Sequence, residues 1–175
     1  ARRPEREGAI LLCSSPDGFN WKLESTLIEN DGRFGTMWEC PDFYPLDGKD
    51  VLVVSPMEML PEGLEYHNGH GTVCLIGSLD AQRKHFSYEH NQSVDYGIDF
   101  YAPQTTLAPD GRRIMIGWMQ NWATCDKAGA KERKWFGQMT LPRELSIQNG
   151  RLYQKPIREL DQYRSNPVEY KNVTV

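Results

Sequence analysis

Short apolar runs separated by Gly-containing turns dominate this chain, and helical periodicity is hard to find in it. The turn signals are Ser15-Pro16-Asp17-Gly18, Leu46-Asp47-Gly48, Ala108-Pro109-Asp110-Gly111 and Gln148-Asn149-Gly150. An Asp-Gly or Asn-Gly pair supplies the positive φ that tight hairpins need, so each pair between apolar runs predicts a strand reversal. The runs predict strands at Ala9–Ser14, Asp50–Pro56, Thr72–Ser78, Tyr101–Leu107, Arg113–Met119, Gly137–Pro142 and Leu145–Ile147 followed by Arg151–Gln154. Strands at this spacing suit an all-β sandwich, barrel or propeller.

The order of the turns favours the propeller. Twice the chain shows a strand, an acidic-Gly turn, a second strand and then a longer excursion into further strands. Glu39 opens one such unit and Asp99 the next, a spacing of roughly 60 residues that suits a four-stranded blade with elaborated loops. Gly8 to Leu27 reads as the outer half of a preceding blade. The expectation is therefore a partial propeller over residues 1–155, about two and a half blades, too few to close a ring. Residues 156–175 turn polar and read as a linker, with Glu169–Val175 able to start a new strand or domain.

Charged residues make up 25% of the chain, a globular rather than a disordered composition. The net charge of −4 gives no reason to expect a nucleic-acid partner. The basic run Lys127–Lys134 lacks the aromatic interleaving of a single-strand binder and reads as a solvated loop. No apolar run approaches the length that crosses a membrane, so no membrane partner is expected. Cys13, Cys40, Cys74 and Cys125 show no CxxC or His-paired spacing. Cys13 and Cys74 lie inside apolar runs and are expected as buried free thiols, which leans weakly toward a reducing, cytoplasmic setting.

Chemistry concentrates at Trp38-Glu39-Cys40-Pro41-Asp42. A carboxyl group between a tryptophan and a cysteine, if poorly hydrated, favours its neutral form and suits a general acid. A surface glutamate that simply opens a strand fits the same residues. In a propeller the innermost strands all run the same way, so Glu39 and Asp99 gather at one mouth of the channel. Asp99 there either binds substrate, tunes Glu39 or caps a turn. Trp122, beyond the returning strand, offers an aromatic face for a sugar ring. Trp38 beside the acid and Tyr101, two residues past Asp99 on the same strand face, are further sugar contacts or core. Trp118 reads as core. His67 and His70 have no strong third ligand, so no metal is expected.

These segments, in order, resemble glycoside hydrolase family 32, the invertase, levanase and sucrose-6-phosphate hydrolase group. The matching pieces are Ser14–Trp21, Trp38-Glu39-Cys40-Pro41-Asp42, Asp95-Tyr-Gly-Ile-Asp99-Phe-Tyr-Ala102-Pro-Gln104, Ile116-Gly-Trp118-Met-Gln-Asn-Trp122 and Leu141-Pro-Arg-Glu-Leu145. The resemblance implies a five-bladed β-propeller, usually followed by a β-sandwich domain, that hydrolyses terminal β-fructosides with retention and without a cofactor. Glu39 matches the family's acid/base. The family's W-M-N-D-P-N-G nucleophile segment and its R-D-P aspartate are absent from this sequence, so the resemblance implies that they lie upstream and that this chain alone is inactive. Open blade edges then predict association with the rest of the same polypeptide or with a second copy. A non-catalytic carbohydrate-binding propeller is the alternative. An arabinan-cleaving five-bladed enzyme is disfavoured by the E-C-P-D and D-F-Y-A pieces.

Overall fold

The computed structural model describes residues 8–125 and 137–172. It is almost entirely antiparallel β. Strands β1 (Ala9–Ser14) and β2 (Lys22–Glu29) form a hairpin, β3 (Trp38–Leu46) to β6 (Phe86–Ser93) a four-stranded meander, and β7 (Tyr101–Leu107) to β10 (Arg151–Pro156) a second. Between them β4 spans Lys49–Pro56, β5 Val73–Leu79, β8 Arg113–Trp118 and β9 Arg143–Gln148. Each meander keeps its strands in chain order, as a propeller blade does, and β3 and β7, the first strand of each, pack side by side. The ring of sheets is open.

The turn chemistry acts as the sequence requires. Asp47 and Gly48 both take positive φ, and so do Asn149 and Gly150, closing two-residue hairpins between β3 and β4 and between β9 and β10. Strand β4 carries the uninterrupted run Val51-Leu52-Val53-Val54 because both of its faces are covered. Leu52 and Val54 join Leu75, Ile10, Leu27 and Trp38 in a core toward the first hairpin. Val51 and Val53 join Cys74, Phe100, Met115 and Leu145 in a core toward the last blade. The central blade is thus the layer that both cores share.

Three expectations need correction. Gly137–Pro142 is not a strand; it contributes only an isolated bridge, Met139 to Trp118, since Gly137 sits at positive φ and Pro142 has no N–H to donate. Strand β6 stands outside the predicted runs, and β2 enters only within the expected half-blade Gly8–Leu27, because outer strands carry polar residues on their solvent side, as in Phe86-Ser-Tyr-Glu-His-Asn-Gln-Ser93. Cys74 is buried, but Cys13 is exposed because the face of β1 it occupies is uncovered; Cys40 is exposed and Cys125 buried. Beyond β10 a 3₁₀ helix spans Arg158–Tyr163, without buried residues. The Lys127–Lys134 run lies outside the described residues. No helix among the described residues is long and apolar enough to cross a membrane.

Candidate active site

Glu39 lies one residue into β3, opposite Ser55 on β4. The next stretch is a β-bulge: Cys40 adopts a φ of 48°, Pro41 follows, and pairing resumes at Asp42 opposite Val53. Proline is tolerated here because a bulge asks for no ladder N–H. Strand β7 repeats this construction. Tyr101 pairs with Trp118, Ala102 takes a φ of 49°, Pro103 follows, and pairing resumes at Gln104 opposite Ile116. Gly117 stands opposite this second bulge, where a Cβ would come within 2.4 Å of the Phe100 ring.

The two bulges interlock. Gln104 Nε2 donates to the Cys40 carbonyl at 3.2 Å, and the Thr105 N–H donates to Asp42 Oδ2 at 2.7 Å. The Ala102 N–H donates to Ser55 Oγ at 3.0 Å. The Tyr101 hydroxyl reaches Glu39 Oε2 at 2.7 Å and the Ser55 carbonyl at 3.1 Å. Ser55, fully buried at the end of an apolar strand, joins the blades through both its backbone and its side chain. Its only signal in the sequence was a polar residue closing the run Val51-Leu-Val-Val-Ser55.

Structural equivalence therefore pairs Glu39 with Tyr101, not with Asp99. Asp99 lies in the half-buried approach to β7, where its carboxylate accepts from Asn121 Nδ2. Asn121 in turn caps a four-residue helix, α1 (Trp122–Cys125), its Oδ1 accepting the Ala123 N–H at 2.8 Å. That cap fixes Trp122, which is 53% exposed and meets the half-buried Trp118 edge-on with centroids 5.4 Å apart. The Trp122 indole also bears on the Tyr101 hydroxyl. Glu39, Tyr101 and Trp122 are thus brought together, with Asp99 behind Trp122.

Tyr101 and Trp38 are not placed as sugar contacts. Tyr101 is 1% exposed, with its hydroxyl committed to Glu39 and Ser55. Burial, and then the Glu39 carboxylate, push its phenol well above the ordinary range. Trp38 turns to the opposite strand face from Glu39, into the first core, where its Nε1 donates to the Phe34 carbonyl at 2.8 Å. Desolvation, and then the Glu39 charge, also raise the Cys40 thiol, which keeps it protonated and a poor nucleophile.

A salt bridge that the sequence did not announce joins two of the motif segments. Arg143 Nη1 meets Asp95 Oδ2 at 2.7 Å, and the guanidinium lies 5.0 Å above the Phe100 ring. This clamp steadies the loop that delivers Asp99 and Tyr101. The same loop and the one carrying His67 line a cavity of about 310 Å³ with Tyr66, Asn68, Tyr96 and Phe100. His67 Nε2 bonds the Gly63 carbonyl, while His70 lies edge-on to Tyr101 at 6.3 Å. Among the described residues no three His, Cys, Asp or Glu side chains form a metal-binding group.

The chain matches the model of the glycosyl hydrolases family 32 N-terminal domain over residues 1–156. It is 39% identical over 164 residues to the sucrose-6-phosphate hydrolase of Escherichia coli, covering 94% of this chain and 34% of that protein. Among solved structures it is similar to the GH32 beta-fructofuranosidase of Bombyx mori, with a TM-score of 0.85 and 38% identity over 94% of this chain and 35% of that one. A mutant of that enzyme in complex with sucrose gives a TM-score of 0.81 and 37% identity, again over 94% of this chain and 35% of that one. The chain spans about a third of the length of the curated relatives it matches.

Proposed function

The chain belongs to glycoside hydrolase family 32, and from that premise we propose that it supplies the acid/base half of a retaining β-fructofuranosidase built on a five-bladed propeller. The observation that carries this reading is Glu39 at the head of the innermost strand β3, its Oε2 held at 2.7 Å by Tyr101 and an exposed tryptophan close by. Retaining glycosidases use two carboxylates about 5–5.5 Å apart, one as acid/base and one as nucleophile. In this assignment Glu39 gives a proton to the leaving sugar oxygen, then takes one from the water that releases fructose. The nucleophile comes from a segment outside this sequence, and residues 156–175 lead toward a following β-sandwich domain.

The remaining site residues take supporting roles. Trp122 offers its open face to the sugar, and Asp99 holds it there through Asn121. Trp38 packs the base of β3 from the core side. The substrate is a terminal β-fructoside: sucrose, sucrose 6-phosphate or a fructan. The open blade flanks, with Leu11, Leu23 and Leu107 exposed, pack against the rest of the polypeptide or a second copy of the chain.

The test is fructose release from sucrose by the full-length gene product. Glu39→Gln is expected to lower it by about 10²–10⁴-fold, the usual share of a general acid/base. The isolated 175-residue chain should release none. Undiminished activity in Glu39→Gln removes Glu39 from the chemistry. A full-length product that binds sucrose without cleaving it establishes the alternative, a carbohydrate-binding propeller.

A further inference from the structure

Resting on the acid/base reading of Glu39 and deepening it, we propose that Tyr101 is the positioning residue that decides which oxygen of Glu39 carries the catalytic proton. Its hydroxyl stands 2.7 Å from Glu39 Oε2 and 3.1 Å from the Ser55 carbonyl. A hydroxyl has one hydrogen to give, and the carbonyl can only accept. The hydrogen therefore points into the arc between the two acceptors, and Oε2, the nearer, receives it. Oε2 is thereby kept as an acceptor, and protonated Glu39 carries its hydrogen on Oε1.

The phenol has little freedom to leave this position. Tyr101 is 1% exposed, Ser55 is fully buried, and the Ala102 N–H is tied to Ser55 Oγ at 3.0 Å. Glu39 and Cys40 face it from β3, and His70 lies edge-on from the loop after β4. Because burial pushes the phenol upward, it remains a donor throughout the range in which the enzyme works.

This arrangement helps most when charge appears on Glu39. As Oε1–H breaks and the proton passes to the leaving oxygen, its bonding electrons stay on the carboxylate. Oε2 then shares the negative charge, and the bond from Tyr101 becomes charge-assisted, roughly twice as strong as a neutral one. A contact that strengthens along the reaction lowers the barrier, whereas one equal in both states does not. In the hydrolytic half-reaction Oε1 takes a proton from the attacking water, and the bond relaxes again.

Tyr101→Phe in the full-length gene product removes only the hydroxyl. Sucrose turnover should fall about 10–100-fold, a part of the general acid/base contribution. KM should change little. An aryl β-fructofuranoside needs no proton on its leaving group, and azide as external nucleophile needs no general base, so phenol release under those conditions should stay within about threefold of wild type. Equal losses on both substrates would mark Tyr101 as merely structural and overturn the proposal, as would unimpaired sucrose turnover. Glu39→Gln assayed in parallel separates the failures. If it cleaves sucrose normally, the acid/base reading falls and takes this inference with it; if it is dead while Tyr101→Phe turns over sucrose like wild type, only the role of Tyr101 falls.

Discussion

Glu39 and Tyr101 occupy the same station in consecutive blades, each followed by a residue at positive φ, a proline and a polar side chain. The backbone is repeated and the chemistry is not. On β3 the station holds a half-buried carboxylate that reaches toward solvent. On β7 it holds a phenol that is almost wholly enclosed and turned toward that carboxylate. The repeat thus provides two platforms with one geometry, and under the proposed assignment of Glu39 the divergence of a single side chain would make one platform the acid/base and the other its support. The bulges serve both roles, because each tips its leading residue toward its neighbour while locking the strands together through Gln104, Asp42 and Ser55.

The comparison is broken most severely at its ends. Glu39→Gln, with its loss of about 10²–10⁴-fold, should exceed Tyr101→Phe in every assay that needs proton transfer. If the two variants lose equally on sucrose, the distinction between a reactive and a supporting station fails. Next in size are the cross-blade bonds. Ser55→Ala strips the partner from the Ala102 N–H, and Asp42→Ala strips it from the Thr105 N–H. Each should cost about 1–3 kcal/mol in chemical denaturation, the penalty of a part-buried donor left unpaired. A change within about 0.5 kcal/mol, typical of ordinary surface substitutions, would mean that the bulges do not lock the blades.

Acid tests the rim against the axis. Hydrogen bonds from Ser14, Lys22 and Lys84 hold Glu24 down to about 2, and Arg112 holds Glu159 at about the same value. Both groups are depressed in the folded chain, so their stabilisation is present above the ordinary glutamate range near 4.5 and is lost as the pH falls from there toward about 2. Melting temperature should drop across that window, and Arg112→Ala should flatten the part due to Glu159. A drop of unchanged size in Arg112→Ala would refute that share.

The smallest effect sharpens the comparison at the backbone. Left-handed φ costs a non-glycine residue about 1–2 kcal/mol, and glycine gives back about 0.5–1 kcal/mol in unfolded-state entropy. Ala102→Gly should therefore stabilise the chain by about 0.5–1 kcal/mol, read from denaturant midpoints. Destabilisation would show that the bulge on β7 is not strained as its twin geometry implies.

Much of this molecule is legible in its sequence. The Asp47-Gly48 and Asn149-Gly150 turns had one physical solution, and the run Val51–Val54 demanded a strand with two covered faces. Glu39 and Trp122 are drawn toward one end of the sheets by the sequence, since antiparallel strands return to where they began. The outer strand β6 carries no clear signal because alternation is weak where one side is solvent. Asp99 was set against Glu39 because sequence spacing was the only ruler available.

What the sequence determined by itself was the alternation of strands and turns, the blade-like repeat and the segment that carries Glu39. These are local matters of φ, apolar periodicity and residue type, which the chain states directly. Only the tertiary structure decided that Tyr101 rather than Asp99 is the counterpart of Glu39, that Trp38 faces the core, and that Asp99 acts on Trp122 through Asn121. One inserted residue at a bulge turns each following side chain to the other face of its strand. Which face that is, and what stands across from it, depends on a neighbouring blade roughly 60 residues away, beyond the reach of any local pattern.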